Sequence, residues 1–167
     1  MDPLIRHFHN LARYNRLANE RLYGACAQLS DPARKQRRQA FFGSIHGTLN
    51  HIMVGDRIWL ARFEGQTAPS TGLDAILYED FGELMAAREA EDARIEGFVE
   101  GLKPEFLKGT IRYVNNSGVE CADPMEILVP HLFNHQTHHR GQVHDMLSQT
   151  EVLPPSLDMH RVLIPAP

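Results

Sequence analysis

The sequence of 167 residues predicts an all-α fold, a four-helix bundle with a small β-hairpin before the last long helix. Four long segments repeat apolar residues at the 3.6-residue spacing of amphipathic helices, and four such helices bury their apolar faces as a bundle. A stretch before the fourth segment alternates polar and apolar residues around a turn signal, as a hairpin does. No internal repeat or break in composition divides residues 1–167, so a single domain is expected.

The first helix is expected from Pro3 to Leu29, because Asp2 suits an N-cap and a proline suits the first helical turn. Its core-facing stripe contains Leu4, Phe8, Leu11, Asn15, Ala18, Leu22, Cys26 and Leu29. Asn15 is the one amide in this stripe. It either bonds to a neighbouring helix or holds a metal ligand in place by a hydrogen bond, and the periodicity leaves both interpretations open.

A basic segment follows the helix break at residues 30–32, and it is expected to be a linker or a short helical turn. The only basic cluster of the chain consists of Arg34, Lys35, Arg37 and Arg38. Its position before a helix favours a solvated face over a phosphate site. The formal net charge of −4 also argues against a nucleic-acid partner.

The second helix is expected from Ser44 to Glu64, and apolar residues on two of its sides predict that it is largely buried or lies at a subunit interface. Two of its histidines, His46 and His51, are candidate metal ligands. They lie about 140° apart around the helix, so they cannot face the same ion. The periodicity alone does not choose between them.

Residues 65–78 are expected to form a long crossover loop, which allows an up-down-down-up order of the helices. The third helix is expected from Glu79 to Leu102. A hairpin follows, with strands at about 107–114 and 118–122 on either side of an Asn-Asn-Ser-Gly turn.

The fourth helix is expected to open at Asp123-Pro124, as an N-cap and a first-turn proline, and to end near Gln149. Pro130 should bend this helix or delay its start. The proline-rich tail from Leu153 is expected to pack over the bundle as an irregular segment with one short turn.

Five of the ten histidines lie between residues 130 and 146. At about 100° per residue, His135 and His139 fall in the middle of an apolar stripe, one helical turn apart. The same stripe contains Leu128, Leu132, Val143 and Met146. Two imidazoles at this spacing can both bind one ion, whereas two histidines that only pack would each need buried partners. His131 and His138 flank the stripe, and His144 is expected on the solvent side.

Two known classes of metal site are disfavoured. A zincin peptidase requires a glutamate base after its first histidine, and Gln136 occupies that position. A di-iron bundle requires Glu-x-x-His pairs, which the sequence does not contain.

The cellular setting is expected to be cytoplasmic. No run reaches the roughly 18 apolar residues of a membrane span, and the first residues lack the apolar stretch of a secretory signal. Cys26 and Cys121 are far apart and form no metal or redox motif, which fits a reduced compartment. No membrane partner is therefore expected.

A family resemblance rests on two stretches, GTLNHIMVGDRIWLARF in the second helix and HLFNHQTHHRGQVHDML in the fourth. Both resemble the DinB family of DinB/YfiT-like metalloenzymes, and the resemblance extends over nearly the whole chain, including YNRLAN in the first helix. It implies an up-down-down-up bundle, commonly a homodimer, with a zinc or nickel ion held by three histidines. Residue by residue, those histidines match His51, His135 and His139. Candidates for groups around the ligands are Asn15, His46, His131, His138 and Arg140.

Three neutral imidazoles leave one coordination position of a zinc-like ion open, and the ion then lowers the pKa of a bound water or thiol. Relatives of this fold include transferases and isomerases that resemble one another in using small cellular thiols such as bacillithiol or mycothiol. The leading hypothesis is therefore a metal-dependent transferase that acts with a low-molecular-weight thiol. Asn15, His138 or Arg140 are candidates to orient its small-molecule substrate.

The rival hypothesis is a non-enzymatic stress-response bundle, in which the metal or the histidine cluster is structural and supports a dimer. Metal storage or sensing is a third hypothesis. The sequence alone does not decide whether the protein is an enzyme. An open coordination position beside a cavity would favour the enzyme, and a fully enclosed ion would favour the structural role.

Overall fold

The computed structural model describes residues 1–166, which form seven helices and one two-stranded antiparallel sheet. The helices are α1 (Pro3–Cys26), α2 (Asp31–Lys35), α3 (Ile45–Phe63), α4 (Phe81–Glu100), α5 (Pro104–Leu107), α6 (Met125–Ser148) and α7 (Met159–Leu163). The strands are β1 (Thr110–Val114) and β2 (Glu120–Pro124), which pair just before α6. The prediction of a helical fold with a hairpin before the last long helix is confirmed.

Helices α1, α3, α4 and α6 form the bundle, and two apolar clusters show their directions. One cluster joins the C-terminal parts of α1 and α6 to the N-terminal parts of α3 and α4. Its residues include Leu22, Ile45, Leu84 and Met146. The other cluster joins the opposite ends of the same helices and includes Phe8, Phe63, Val99 and Val129. Helices α1 and α6 therefore run one way and α3 and α4 the other, which is the predicted up-down-down-up order.

A layer of buried polar side chains lies between the two apolar clusters, and all four bundle helices contribute to it. This buried polar layer consists of Asn15, Asn19, Asp56, Arg88, Asp92, Gln136 and Arg140. Arg88 lies between two carboxylates, 2.5 Å from Asp56 Oδ2 and 2.9 Å from Asp92 Oδ1. A charge that is taken out of water needs such partners, because its lost hydration otherwise costs several kcal/mol.

The sequence favoured a solvated face for the basic cluster. The structure differs at one residue, because Arg34 is buried. Its guanidinium donates to the carbonyl oxygens of Cys26 and Leu29 and lies 4.3 Å from the centre of the Phe81 ring. It thereby satisfies carbonyl groups that the end of a helix leaves free. Helix α1 accordingly ends at Cys26, three residues earlier than predicted.

Helices α3 and α4 begin one and two residues later than predicted, because the capping side chain lies outside each helix. Ser44 accepts from Gly47 N at 2.9 Å, and Asp80 accepts from Glu83 N at 2.9 Å. Both are typical N-cap residues. The C-terminal ends of these helices lie one and two residues earlier than predicted.

The hairpin also differs from the predicted one, because Pro104–Leu107 forms the helical turn α5 and β2 extends to Pro124. Asp123 is therefore not the N-cap of α6. It lies opposite Ile111 in the sheet and accepts a hydrogen bond from the Tyr113 hydroxyl at 2.7 Å.

The last helix and the tail complete the bundle. Helix α6 begins at Met125, so Pro130 lies inside it and does not delay its start. His144 is half-buried rather than solvent-facing, and its Nε2 lies 3.0 Å from Pro155 O of the tail. The tail packs over α1 through Val162 of the short helix α7. Among the described residues, no helix is both long and apolar enough to cross a membrane.

Replacing Arg88 by methionine (Arg88→Met) should lower the free energy of unfolding by about 3–5 kcal/mol at pH 8, because two buried carboxylates lose their partner. Burial raises the pKa of Asp92 to about 6, although Arg88 and Asn19 lower it. A carboxyl group whose pKa is raised in the folded protein stabilises it at low pH, and this contribution is lost as the pH rises through that pKa. At pH 5, Asp92 is largely protonated and needs no cationic partner, so Arg88→Met should destabilise the protein less than at pH 8. Urea denaturation at both pH values measures the difference.

Arg16→Met is the matched control, since Arg16 pairs with Glu96 at 3.1 Å and both side chains are partly exposed. Such surface pairs contribute about 0–1 kcal/mol. Equal destabilisation by the two substitutions, or a loss at position 88 that is the same at both pH values, would contradict the role given to the buried polar layer.

Candidate metal centre

Three histidines from two helices meet at one point on the bundle. His51 projects from α3, and His135 and His139 project from successive turns of α6. His51 Nε2 lies 3.1 Å from Nε2 of His135 and 3.1 Å from Nε2 of His139. Each ring offers one nitrogen to a group in which all three lie within 4.8 Å of one another. The packing of α3 against α6 brings together residues that are more than 80 positions apart in the sequence.

Hydrogen bonds on the far side of two rings determine which nitrogens face the centre without a proton. His51 Nδ1 lies 2.7 Å from Leu73 O, and it must donate because a carbonyl oxygen only accepts. His139 Nδ1 donates in the same way to Gln142 Oε1 at 2.8 Å. In a neutral imidazole the other nitrogen then carries a lone pair, so two lone pairs point at one place. Nδ1 of His135 is buried and has no hydrogen-bond partner among residues 1–166.

Burial lowers the pKa of all three histidines. The pKa of His135 falls to about 3, because burial and then positive charge on His139 and His51 oppose its protonation. The pKa of His139 falls to about 4, since burial outweighs the hydrogen bond to Gln142. At pH 7 these imidazoles are neutral, which is the form that binds a metal.

The donor set fits a divalent ion such as zinc. A zinc–nitrogen bond is about 2.0–2.1 Å long, so three nitrogens of a tetrahedral site lie about 3.3 Å apart. The two separations of 3.1 Å are close to this value. No fourth His, Cys, Asp or Glu joins the group in the part of the chain that the structure describes, so such an ion would keep one position free of these ligands.

Two residues of the centre were not anticipated from the sequence. Gly55 lies one turn after His51, and a Cβ at this position would lie 2.7 Å from Cε1 of His135. A glycine inside a buried helix was the signal for such a close approach. Phe42, just before α3, stacks on the His51 ring with centroids 3.7 Å apart and meets the His139 ring edge-on at 5.6 Å. Helical periodicity gives no signal for Phe42, because it lies outside the helix.

The histidine pair of α6 was expected in the middle of the core-facing stripe of that helix. The structure instead places the pair beside the bundle core. The core positions belong to the next residue in each case, since Gln136 is 0% and Arg140 is 2% exposed. Successive residues of a helix point about 100° apart, so each histidine is turned away from the core towards α3. His135 is half-buried and His139 is buried.

Among the histidines expected around the ligands, His131 and His138 lie next to the site and His46 does not. The rings of His131 and His138 pack against those of the two α6 histidines, with centroid distances of 5.9 and 4.7 Å. His46 instead places Nε2 2.8 Å from Tyr78 O, on another side of α3. This separation agrees with the angle between His46 and His51.

Asn15 and Arg140 had also been candidates for groups around the ligands, and both belong to the buried polar layer instead. Arg140 donates to Asn15 Oδ1, and Asn15 donates to Asp92 Oδ1 at 2.9 Å. Asn15 therefore bonds to neighbouring helices, which is one of the two interpretations that the sequence left open. Neither residue is exposed by more than 2%, so neither is available to orient a substrate.

Comparison with known proteins agrees with the resemblance read from the sequence. Residues 4–166 match the model of the DinB family. The chain is 30% identical over 147 residues to protein DinB of Bacillus subtilis (strain 168), a match that covers 83% of each chain. A crystal structure of a DinB-like protein from Bacillus cereus ATCC 10987 has a TM-score of 0.60 at 16% identity, covers 83% of this chain and 89% of that chain, and shows the likeness of fold alone. With a family match that spans nearly the whole sequence, the chain belongs to the DinB family.

Proposed function

We propose that this chain binds one divalent metal ion, zinc or nickel, through His51, His135 and His139, and that it is a transferase acting with a low-molecular-weight thiol. The observation that carries the proposal is the convergence of three imidazoles with no fourth His, Cys, Asp or Glu ligand among the described residues. A water or a thiol can take the remaining position of such an ion.

The protein itself contributes position and environment. Leu73 O and Gln142 Oε1 hold two imidazoles in the tautomer that presents Nε2, and the Phe42 ring shields one face of His51 from water. When bound, the ion supplies a Lewis acid that lowers the pKa of a thiol that reaches it. The group of ligands contains no carboxylate, so it offers no general base for hydrolysis and leaves the positive charge of the ion undiminished.

A non-enzymatic stress-response protein is the second candidate. His51 and His139 are only 4% and 8% exposed, and an ion between α3 and α6 would join two helices of the bundle, as structural metals do. The two candidates differ in whether a thiol reaches the ion. The homodimer and the cytoplasmic location expected from the sequence stay predictions.

The purified protein should contain about one divalent ion per chain, as a single three-histidine site implies. Alanine at His51, His135 or His139 should each remove that ion, whereas His46→Ala and His138→Ala should retain it. Metal analysis by mass spectrometry, with circular dichroism to establish that each variant is folded, measures both results. Full metal content in all three of the first variants would eliminate the proposed site.

Gly55→Ala should weaken metal binding by tenfold or more, an estimate of about 1.4 kcal/mol, because the added Cβ would displace the His135 ring. Competition with a chromophoric chelator measures the affinity. Gly141→Ala is the matched control on α6, since a Cβ there meets nothing within 4 Å. Alanine has a higher helix propensity than glycine, so neither substitution should weaken its helix. If only Gly55→Ala loses affinity, the helix backbone is not the cause. Unchanged affinity in Gly55→Ala would contradict the tight fit of His135.

Turnover of a thiol with an electrophile should require the metal. We expect activity with at least one cellular thiol to disappear after chelation and to return with zinc or nickel. A protein loaded with cobalt should also change its visible absorption when the thiol is added, because sulfur would become a ligand. Equal turnover without metal would reject the mechanism, and metal-dependent stability without any spectral response to thiols would favour the structural candidate.

A further inference from the structure

A surface cavity of about 560 Å³ adjoins the histidine centre. Two stretches line it, the segment before α3 and the crossover loop, and its principal residues are Arg37, Phe41, Phe42, Leu73 and Asp74. Phe42 and Leu73 also contact the centre, since the Phe42 ring stacks on His51 and Leu73 O accepts from His51 Nδ1. The cavity and the histidine centre therefore share a wall.

The cavity carries two opposite charges that have no protein partner. Within residues 1–166, neither Arg37 nor Asp74 forms a side-chain hydrogen bond or an ion pair within 4 Å. The other members of the basic cluster are all engaged. Arg34 and Arg38 donate to backbone carbonyl oxygens, and Lys35 pairs with Asp31 at 2.9 Å.

An exposed aromatic side chain also lines the cavity. Phe41 is 87% exposed and meets Phe42 edge-on, with ring centroids 4.9 Å apart. The segment that carries it is held in place, because Arg38 N donates to Gly43 O at 2.7 Å and Gly43 adopts a positive φ of 73°. These contacts fix the backbone of the wall that carries Phe41.

We propose that this cavity binds the zwitterionic α-amino-acid end of a γ-glutamyl type of peptide thiol, a group that bacillithiol and mycothiol lack. Arg37 takes its carboxylate, Asp74 takes its ammonium group, and Phe41 covers the methylene groups that follow the Cα to which both charged groups are attached. A ligand with only one kind of charge would leave either Arg37 or Asp74 facing it unpaired, so a dipolar group suits the cavity better. The proposal rests on the thiol-dependent function above, because it places one end of the substrate next to the proposed metal ion.

Three tripeptides with a methylated sulfur test the recognition of charge without a thiol. S-methylglutathione carries both groups at its γ-glutamyl end. Its glutaryl analogue lacks the ammonium group, and its γ-aminobutyryl analogue lacks the adjacent carboxylate. Calorimetric titration of the full-length protein as purified should show binding of S-methylglutathione about 3- to 10-fold tighter than either analogue, as expected for ion pairs in a partly exposed site.

Two substitutions should separate the charges. Arg37→Gln should remove the preference over the γ-aminobutyryl analogue and keep the preference over the glutaryl analogue, and Asp74→Asn should do the reverse. Arg13→Gln and Glu151→Gln are the matched controls, since both residues are exposed and neither lines the cavity. Both controls should bind all three peptides as the unaltered protein does.

Equal binding of the three peptides, or no binding of S-methylglutathione at about 10 mM, would overturn the proposal, as would preferences that survive both cavity substitutions. The result is independent of the proposed metal chemistry, because the blocked sulfur cannot bind as a thiolate. If the protein discriminates among the peptides as expected but free thiols never alter the cobalt spectrum, the proposed binding cavity is supported and the proposed transferase function is rejected. If the peptides bind equally but thiols alter the cobalt spectrum, the proposed role of the cavity is rejected and the proposed transferase function is kept.

Discussion

The pairing of Arg88 with two buried carboxylates is the constraint on which the rest of the bundle depends. Apolar contacts are not directional, so they tolerate small shifts of one helix against another at little cost. A buried guanidinium tolerates far less, since losing either carboxylate leaves an unpaired charge. Arg88 joins α4 to α3 through Asp56, and Asp92 joins α4 to α1 through Asn15. The buried polar layer therefore holds the helices in the register in which α3 presents His51 to α6.

Helix α6 serves the core and the histidine centre with adjacent residues. His135 is followed by Gln136, and His139 is followed by Arg140. Because neighbours on a helix diverge by about 100°, the first of each pair faces α3 and the second enters the buried polar layer. A rotation of α6 that moved the histidines would also move Arg140 from its hydrogen bond with Asn15. The geometry of the centre is thus coupled to the stability of the core.

The residues around the three histidines give the centre properties that suit a bound cation. Burial keeps its imidazoles neutral, and a backbone carbonyl and an amide select the tautomers of two of them. Gly55 makes room for the His135 ring, and Phe42 closes the side that borders the cavity. Ligands that are already oriented lose little conformational freedom on binding, which is why such sites bind tightly. The crossover loop contributes to both the centre and the cavity.

By itself, the sequence determined the four helices and the i, i+4 histidine pair, since these depend on spacing within single segments. The long crossover loop only allowed the up-down-down-up order, which the family resemblance implied. Periodicity resolves direction only to within one or two neighbouring positions, so it assigned His135 to the core position that Gln136 occupies. It could not choose between His46 and His51, and it could not say what Asn15 bonds to. Only the tertiary structure decided these points, because a buried polar group is defined by its partners, and those partners lie on other helices far away in the chain.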